Sequence, residues 1–119
     1  IKKILNKIKN KNIVIYGENK KADYQIKKIK YNSDSTNFNL IFKDKDKKRK
    51  LIKNITVKLL GKHNVLNAAA AFIVCLNLGA NLNMAKKSLK KFSGVQRRMT
   101  KVCTKNKNDF YDDYAHHPT

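Results

Sequence analysis

The spacing of apolar residues changes from two to about 3.6 at Gly61, and this change constrains the fold more than any other feature of the chain. Before Gly61, apolar and polar residues alternate in three runs, which contain Tyr24 and Ile26, then Phe38, Leu40 and Phe42, then Ile55, Val57 and Leu59. Because alternation is typical of strands that bury one face, residues 23–60 are predicted to form a three-stranded antiparallel sheet. The charged segment 43–50 is predicted to be a solvated hairpin loop within it.

Beyond Gly61, the pattern predicts a helix over residues 64–78, ended by Gly79. Its apolar stripe consists of Val65, Leu66, Ala69, Phe72, Ile73 and Leu76. A second, shorter helix follows, with Asn83 as its predicted N-cap. The residues of this helix that are expected to face inward are Ala85, Leu89 and Phe92.

Shorter elements are predicted at both ends of the chain. Residues 1–8 have helical spacing, and the β-branched run 12–16 is interpreted as a buried strand. Two further strands are predicted after Gly94, over 99–104 and 110–114. The succession of sheet, helices and new sheet is an α/β arrangement. We place a domain boundary at Gly94, between residues 1–94 and residues 95–119.

The formal charge of +20 raises nucleic acid or an anionic membrane surface as a partner. However, only Arg49, Arg97 and Arg98 among the 28 cations are arginine, the residue favoured for phosphate and base recognition. We therefore expect no specific nucleic-acid partner, and a basic nucleic-acid-binding module is kept as the alternative from another functional class.

The two cysteines, Cys75 and Cys103, do not form a metal-binding or redox motif. We predict two buried free thiols in a reducing cytoplasm. No apolar run approaches the roughly 20 residues that a membrane-spanning helix needs, so no membrane span is expected.

Asn64 and Asn67 are the first candidate binding residues, because residues three apart project from one face of a helix. A carboxamide can both donate and accept, which are the two functions needed to hold the edge of an adenine. Two simpler interpretations stay open at this point. Asn64 could be only an N-cap, and Asn67 an incidental polar residue of the first turn.

Two paired groups follow Gly94. Arg97 and Arg98 could clamp phosphate oxygens or form an ordinary surface pair. Asp112 and Asp113 could accept hydrogen bonds from ribose hydroxyls, bind a hard cation, or lie in water at a strand end.

His116 and His117 close the list of candidates. Either could act as an acid or base, as a metal ligand, or as a turn residue before Pro118. Because neighbouring side chains of an extended chain point to opposite sides, at most one histidine is expected to face a given site.

Three ordered segments together resemble the Mur ligase family. They are GKHNVLNAAAA at 61–71, GVQRRM at 94–99 and DDYAHHPT at 112–119. The resemblance extends to YG at 16–17 and ADY at 22–24, and so covers nearly the whole chain. It implies part of a longer protein: the end of a central ATP-binding domain, made of a small antiparallel sheet and helices, followed by the first strands of a Rossmann-like C-terminal domain.

The resemblance also implies roles for five residues. In the family, asparagines at the positions of Asn64 and Asn67 hold adenine, and an arginine at the position of Arg98 contacts the nucleotide. An aspartate at the position of Asp113 contacts ribose, and a histidine at the position of His116 lies near the substrate, which makes His116 the candidate catalytic residue. The phosphate-binding loop and the ligands of Mg²⁺ are expected outside this segment.

The activity that the resemblance implies is an ATP- and Mg²⁺-dependent amide ligation in cytoplasmic peptidoglycan synthesis. UDP-N-acetylmuramate and L-alanine are its expected substrates, with an acyl phosphate as intermediate, and the segment alone is expected to be inactive. A related ligase that attaches a tripeptide to the same UDP-sugar is the alternative within the family, and Tyr114 favours the alanine ligase.

Overall fold

The computed structural model describes residues 13–44, 46–95 and 100–113. The helix predicted for residues 1–8 lies outside these ranges. The first sheet contains β1 (Tyr16–Gly17), β2 (Tyr24–Tyr31), β3 (Thr36–Lys43) and β4 (Arg49–Val57), in that spatial order. β1 is parallel to β2, and the other two pairings are antiparallel. The predicted three-stranded antiparallel sheet and the α/β class are confirmed.

The charged segment between β3 and β4 forms the predicted hairpin loop. The loop is shorter than predicted, because β3 extends to Lys43 and β4 begins at Arg49. The Asp44 carboxylate accepts a hydrogen bond from the backbone N–H of Lys48 at 2.8 Å and pairs with the Lys50 ammonium at 3.4 Å. The turn is therefore held by its own aspartate, while Lys47 and Lys48 are exposed to water.

The regular ladder is interrupted on both sides of Asn39, in the middle of β3. Register shifts occur beside it in both pairings, where Lys28 of β2 and Asn54 of β4 adopt positive φ angles of 51° and 56°. The Asn39 side-chain oxygen accepts a hydrogen bond from the Asn54 N–H at 2.9 Å. A side chain thus satisfies a backbone donor at the β4 bulge.

Two helices, α1 (Lys62–Asn77) and α2 (Leu82–Lys91), follow the sheet. The sheet supplies Ile26, Phe38, Leu40, Ile52, Ile55 and Val57 to the core, and α1 supplies Val65, Ala68, Ala69, Phe72 and Ile73. Leu66 and Leu76 pack partly buried at its margin, so the predicted apolar stripe of the first helix is confirmed.

Helix α2 only partly follows its prediction. Ala85 and Leu89 pack against the core as expected. Phe92, which was expected to face inward, is 45% exposed. It lies just after the last helical residue with an extended backbone, so its side chain leaves the helical face that carries Ala85 and Leu89.

The helix ends show which residues act as caps. After α1, Gly79 adopts φ 86°; its N–H donates to the Leu76 carbonyl, and the Ala80 N–H donates to the Cys75 carbonyl. This pair of bonds is a Schellman motif, which confirms that Gly79 ends the helix.

The cap predicted for α2 is wrong by two residues. Asn81, and not Asn83, is the N-cap, because its side-chain oxygen accepts from the backbone N–H groups of Asn83 and Met84 at 3.0 and 3.1 Å.

The buried strand predicted for residues 12–16 is also wrong for the residues that the structure describes, which exclude Asn12. Only Tyr16 and Gly17 pair with β2, and the preceding Ile13, Val14 and Ile15 are 41–44% exposed. The Ile15 carbonyl accepts a hydrogen bond from the Tyr24 N–H of β2 at 3.1 Å, but β1 lies at the edge of the described sheet and the three side chains stay exposed.

Both cysteines are free thiols, as predicted, but both are exposed. Cys75 lies off the buried stripe of α1, which runs through Phe72 and Ile73. Cys103 lies in β5 (Thr100–Lys105), which pairs with β6 (Asn108–Asp112) in a separate antiparallel sheet. The prediction assumed that a small apolar side chain would be buried, but neither position faces the core.

The β5–β6 hairpin has a two-residue turn, which lies between the two strands predicted after Gly94. Asn106 and Lys107 have φ angles of 52° and 65°, the signs that a type I′ turn requires. The Asp109 carboxylate accepts from the Thr104 hydroxyl at 2.7 Å and pairs with the Lys101 ammonium at 2.6 Å.

Among the described residues, no helix is long and apolar enough to cross a membrane.

Candidate functional site

The first turn of α1 carries the two candidate asparagines. Gly61, with φ 93°, is the N-cap, and no side chain caps the helix. Asn64 is therefore the third residue inside the helix, and the interpretation of Asn64 as an N-cap is wrong. A glycine tolerates this left-handed φ without a steric cost from Cβ.

A hydrogen bond to the preceding loop orients the Asn64 carboxamide. Its nitrogen donates to the Leu60 carbonyl oxygen at 2.8 Å, and the residue is half-buried. One of its two amide hydrogens is used in this bond. No other described residue bonds to its side-chain oxygen or its second amide hydrogen, so the group keeps one donor and one acceptor in a fixed orientation for a ligand.

Asn67 lies three residues further along α1 and is exposed. Its side chain makes no hydrogen bond to any of the residues that the structure describes. Cβ atoms three apart on a helix are about 5–6 Å from each other. The helix therefore presents one oriented and one adjustable carboxamide on the same side.

An ion pair fastens the start of α1 to the loop after β1. The Lys62 ammonium contacts the Glu18 carboxylate at 2.5 Å, and the Glu18 carbonyl oxygen accepts from the buried Gln25 carboxamide at 3.0 Å. The hydrogen bond that the Lys62 ammonium donates to Glu18, and then the negative charge of Glu18, raise the pKa of Lys62. Sequence reasoning missed this contact, because no local spacing connects residues so far apart in the chain.

The structure describes only some of the other candidate residues. Arg97, Arg98, His116 and His117 lie outside the described residues. Asp113 directly follows β6, in the two-stranded sheet, whereas Asn64 and Asn67 belong to the helix that packs on the four-stranded sheet. The convergence of these groups on one nucleotide remains a prediction.

The described residues do not form a metal site. Within residues 13–44, 46–95 and 100–113, no three His, Cys, Asp or Glu side chains come together as metal ligands. We therefore assign no Mg²⁺ ligand to the described residues.

Known proteins similar to this chain share one family. Residues 1–75 match the family model of the Mur ligase middle domain. The UDP-N-acetylmuramate–L-alanine ligase of Pelagibacter ubique is 43% identical over 99% of the chain. The enzyme of the same name from Rhodopseudomonas palustris (strain BisA53) is 36% identical over 99% of the chain. The chain spans about a quarter of the length of each relative, 25% and 26% respectively.

Solved structures repeat the fold. The UDP-N-acetylmuramate-alanine ligase of Thermotoga maritima superposes with a TM-score of 0.69 and 29% identity, over 88% of this chain and 24% of that one. MurF of Acinetobacter baumannii gives a TM-score of 0.70 and 28% identity, over 93% of this chain and 22% of that one. Since the matching family model covers well over half of the sequence, the chain belongs to the Mur ligase family.

Proposed function

We propose that the protein containing this chain is an ATP-dependent ligase that joins L-alanine to UDP-N-acetylmuramate in the cytoplasm. The names of its relatives support the substrate pair. The observation that carries the nucleotide assignment is the pair of carboxamides on one side of α1, of which Asn64 is oriented by the Leu60 carbonyl.

In this proposal, Asn64 and Asn67 hold the adenine edge through one donor and one acceptor each. Base recognition by such groups is selective, because a partner lacking the complementary groups leaves polar atoms unpaired. Arg98 is assigned to the nucleotide, Asp113 to the ribose hydroxyls, and His116 to the substrate side. These three assignments rest on the sequence motifs.

The proposed reaction has two steps. A carboxylate oxygen of UDP-N-acetylmuramate attacks the γ-phosphorus of ATP, and ADP leaves, giving an acyl phosphate. The amino nitrogen of L-alanine then attacks the acyl carbon, the amine loses a proton, and inorganic phosphate leaves as the amide forms. The described residues contribute to positioning of the nucleoside, which lowers the entropic cost of bringing the reactants together.

The direct test is turnover by the complete protein with UDP-N-acetylmuramate, ATP and Mg²⁺. We expect phosphate release that requires UDP-N-acetylmuramate, ATP, Mg²⁺ and L-alanine. We also expect the amide product to be detected by mass spectrometry. Faster turnover with a tripeptide than with L-alanine would replace the proposal by the recycling ligase. Two results together would favour the basic nucleic-acid-binding module: no turnover with either L-alanine or the tripeptide, and RNA binding that weakens steeply with salt and does not change with ATP.

A further inference from the structure

The face of the four-stranded sheet opposite α1 and α2, here called the outer face, carries charges of one sign. The register places Lys27 opposite Asn39, Lys30 opposite Asn37 and Lys43 opposite Arg49, all on this face, because their neighbours along each strand face the core. Lys28 and Lys53 join Lys27 around a single hollow on the same face. The outer-face cations are Lys27, Lys28, Lys30, Lys43, Arg49 and Lys53.

No carboxylate balances these charges within β2, β3 and β4. Their sequences contain no aspartate or glutamate, and the acids of residues 13–44 and 46–95 all lie in loops: Glu18, Asp23, Asp34, Asp44 and Asp46. Among the described residues, none of the six outer-face cations forms an ion pair. The Lys50 that pairs with Asp44 lies opposite Phe42, on the core side.

The two bulges beside Asn39 form a hollow of about 350 Å³ at the centre of this face. Three lysines stand around it, and Ile41 and Leu51 contribute aliphatic surface. Leu51 is 49% exposed. The centre of the outer face therefore combines aliphatic side chains with surrounding ammonium groups.

The combination of ammonium groups and exposed aliphatic side chains favours one class of anionic partner over the others. Packing the face under further protein would desolvate six cations for which the described sheet supplies no counter-charge, which is costly. The outer face of β2–β4 has no aromatic side chain on which a base could stack, since Tyr24 and Tyr31 lie opposite the core-side Phe42 and Thr36. Flexible lysines around exposed aliphatic groups are typical of surfaces that bind anionic lipid headgroups.

We propose that the outer face is a docking surface for an anionic lipid bilayer. The headgroup phosphates contact the lysines around the hollow, and Leu51 enters the headgroup layer. This inference is independent of the ligase activity, because lipid binding is measured without ATP or substrate.

The test is co-sedimentation of the complete protein with phosphatidylcholine vesicles that contain about one third phosphatidylglycerol, compared with pure phosphatidylcholine. We expect binding only to the anionic vesicles. This binding should be lost as NaCl rises from about 0.05 M to about 0.5 M, because salt shortens the screening length. The variant K27Q/K28Q/K53Q should bind at least about tenfold more weakly.

The matched control is K87Q/K90Q/K91Q, which removes the same charge from exposed positions of α2, on the other side of the sheet. It should retain binding within about twofold, since it leaves the outer face intact. If the triple variant does not fold, a second variant, K30Q/K43Q, removes two other cations from the same face and should also weaken binding. Equal weakening by face and control variants, or tighter binding to RNA than to anionic vesicles, would overturn the proposal.

Discussion

Asn64 and Asn67 differ in what holds their side chains, and this difference separates nucleotide binding from stability. The Asn67 carboxamide has no hydrogen-bond partner among the described residues, so its removal costs the fold little. We predict that Asn67→Ala in the complete protein raises the KM for ATP about tenfold, consistent with the loss of an amide–adenine contact. Steady-state kinetics measures this effect.

The control for Asn67→Ala is Asn83→Ala, another exposed helical asparagine, which should leave the KM for ATP unchanged. Thermal unfolding should give the same Tm for Asn67→Ala and the wild type. An unchanged KM with a lowered Tm would show that Asn67 is only a structural residue.

Asn64→Ala should have two effects at once. Loss of the 2.8 Å bond to the Leu60 carbonyl should lower the free energy of unfolding by about 1 kcal/mol. Loss of the oriented amide should also raise the KM for ATP. Urea denaturation and kinetics on the same variant measure the two; stability loss without a change in KM would remove Asn64 from the adenine site.

At the scale of elements, the start of α2 gives a direct test of the observed cap. Asn81→Ala removes the acceptor for two backbone N–H groups and should lower the free energy of unfolding by about 1 kcal/mol. Asn83→Ala should have almost no effect, because only its backbone N–H is used. Equal effects in chemical denaturation would contradict the assignment of Asn81 as the cap.

The β5–β6 hairpin should respond to pH at both extremes. Hydrogen bonds from Lys101 and then Thr104 lower the pKa of Asp109, and the hydrogen bond to Asp109 raises the pKa of Lys101. The carboxylate contribution is therefore present above about pH 4 and lost as pH falls through the lowered pKa. The ammonium contribution is present below about pH 10 and lost as pH rises through the raised pKa.

Amide hydrogen exchange and chemical shifts of the hairpin measure this pH dependence. Protection should be greatest between the two limits, and Asp109→Asn should remove the acid-side change. The effect is expected to be small, because both groups are exposed. An acid-side change that persists in Asp109→Asn would assign the titration to another group.

Periodic elements could be predicted from the sequence, and contacts distant in sequence could not. The alternation at Phe38 and Leu40 and the stripe through Phe72 correctly placed strands and core. The cap of α2 was misplaced because Asn81 and Asn83 are equally good N-cap residues, and the choice depends on the Schellman turn that ends α1. Local patterns likewise contain no sign of the bulges beside Asn39, since these depend on pairing with two other strands.

At the scale of the whole molecule, the central question is whether the residues on both sides of the boundary predicted at Gly94 bind one nucleotide. We predict that Asp113→Ala in the complete protein weakens ATP binding severalfold, through loss of charge-assisted bonds to the ribose. Isothermal titration calorimetry measures the affinity. Wild-type affinity in this variant would contradict the predicted convergence of Asp113 and the two asparagines on one nucleotide, and would leave the assignment of Asn64 and Asn67 unchanged.

The site could be predicted from the sequence only where its residues are close together in the chain. Asn64 and Asn67 share one helix, so their spacing alone placed them on one side of it. Glu18, which fixes the helix start through Lys62, could not be found in this way, because folding brings the two together.

The position of β4 at one end of the described sheet has a consequence for self-association. An unpaired strand edge offers backbone groups to any extended chain nearby, including a second copy of the same molecule. Here the bulge at Asn54 bends that strand edge, and Arg49 and Lys53 place like charges along it. The β4 edges of two molecules repel each other and do not match in shape. The strand therefore resists edge-to-edge pairing into fibrils at ordinary ionic strength.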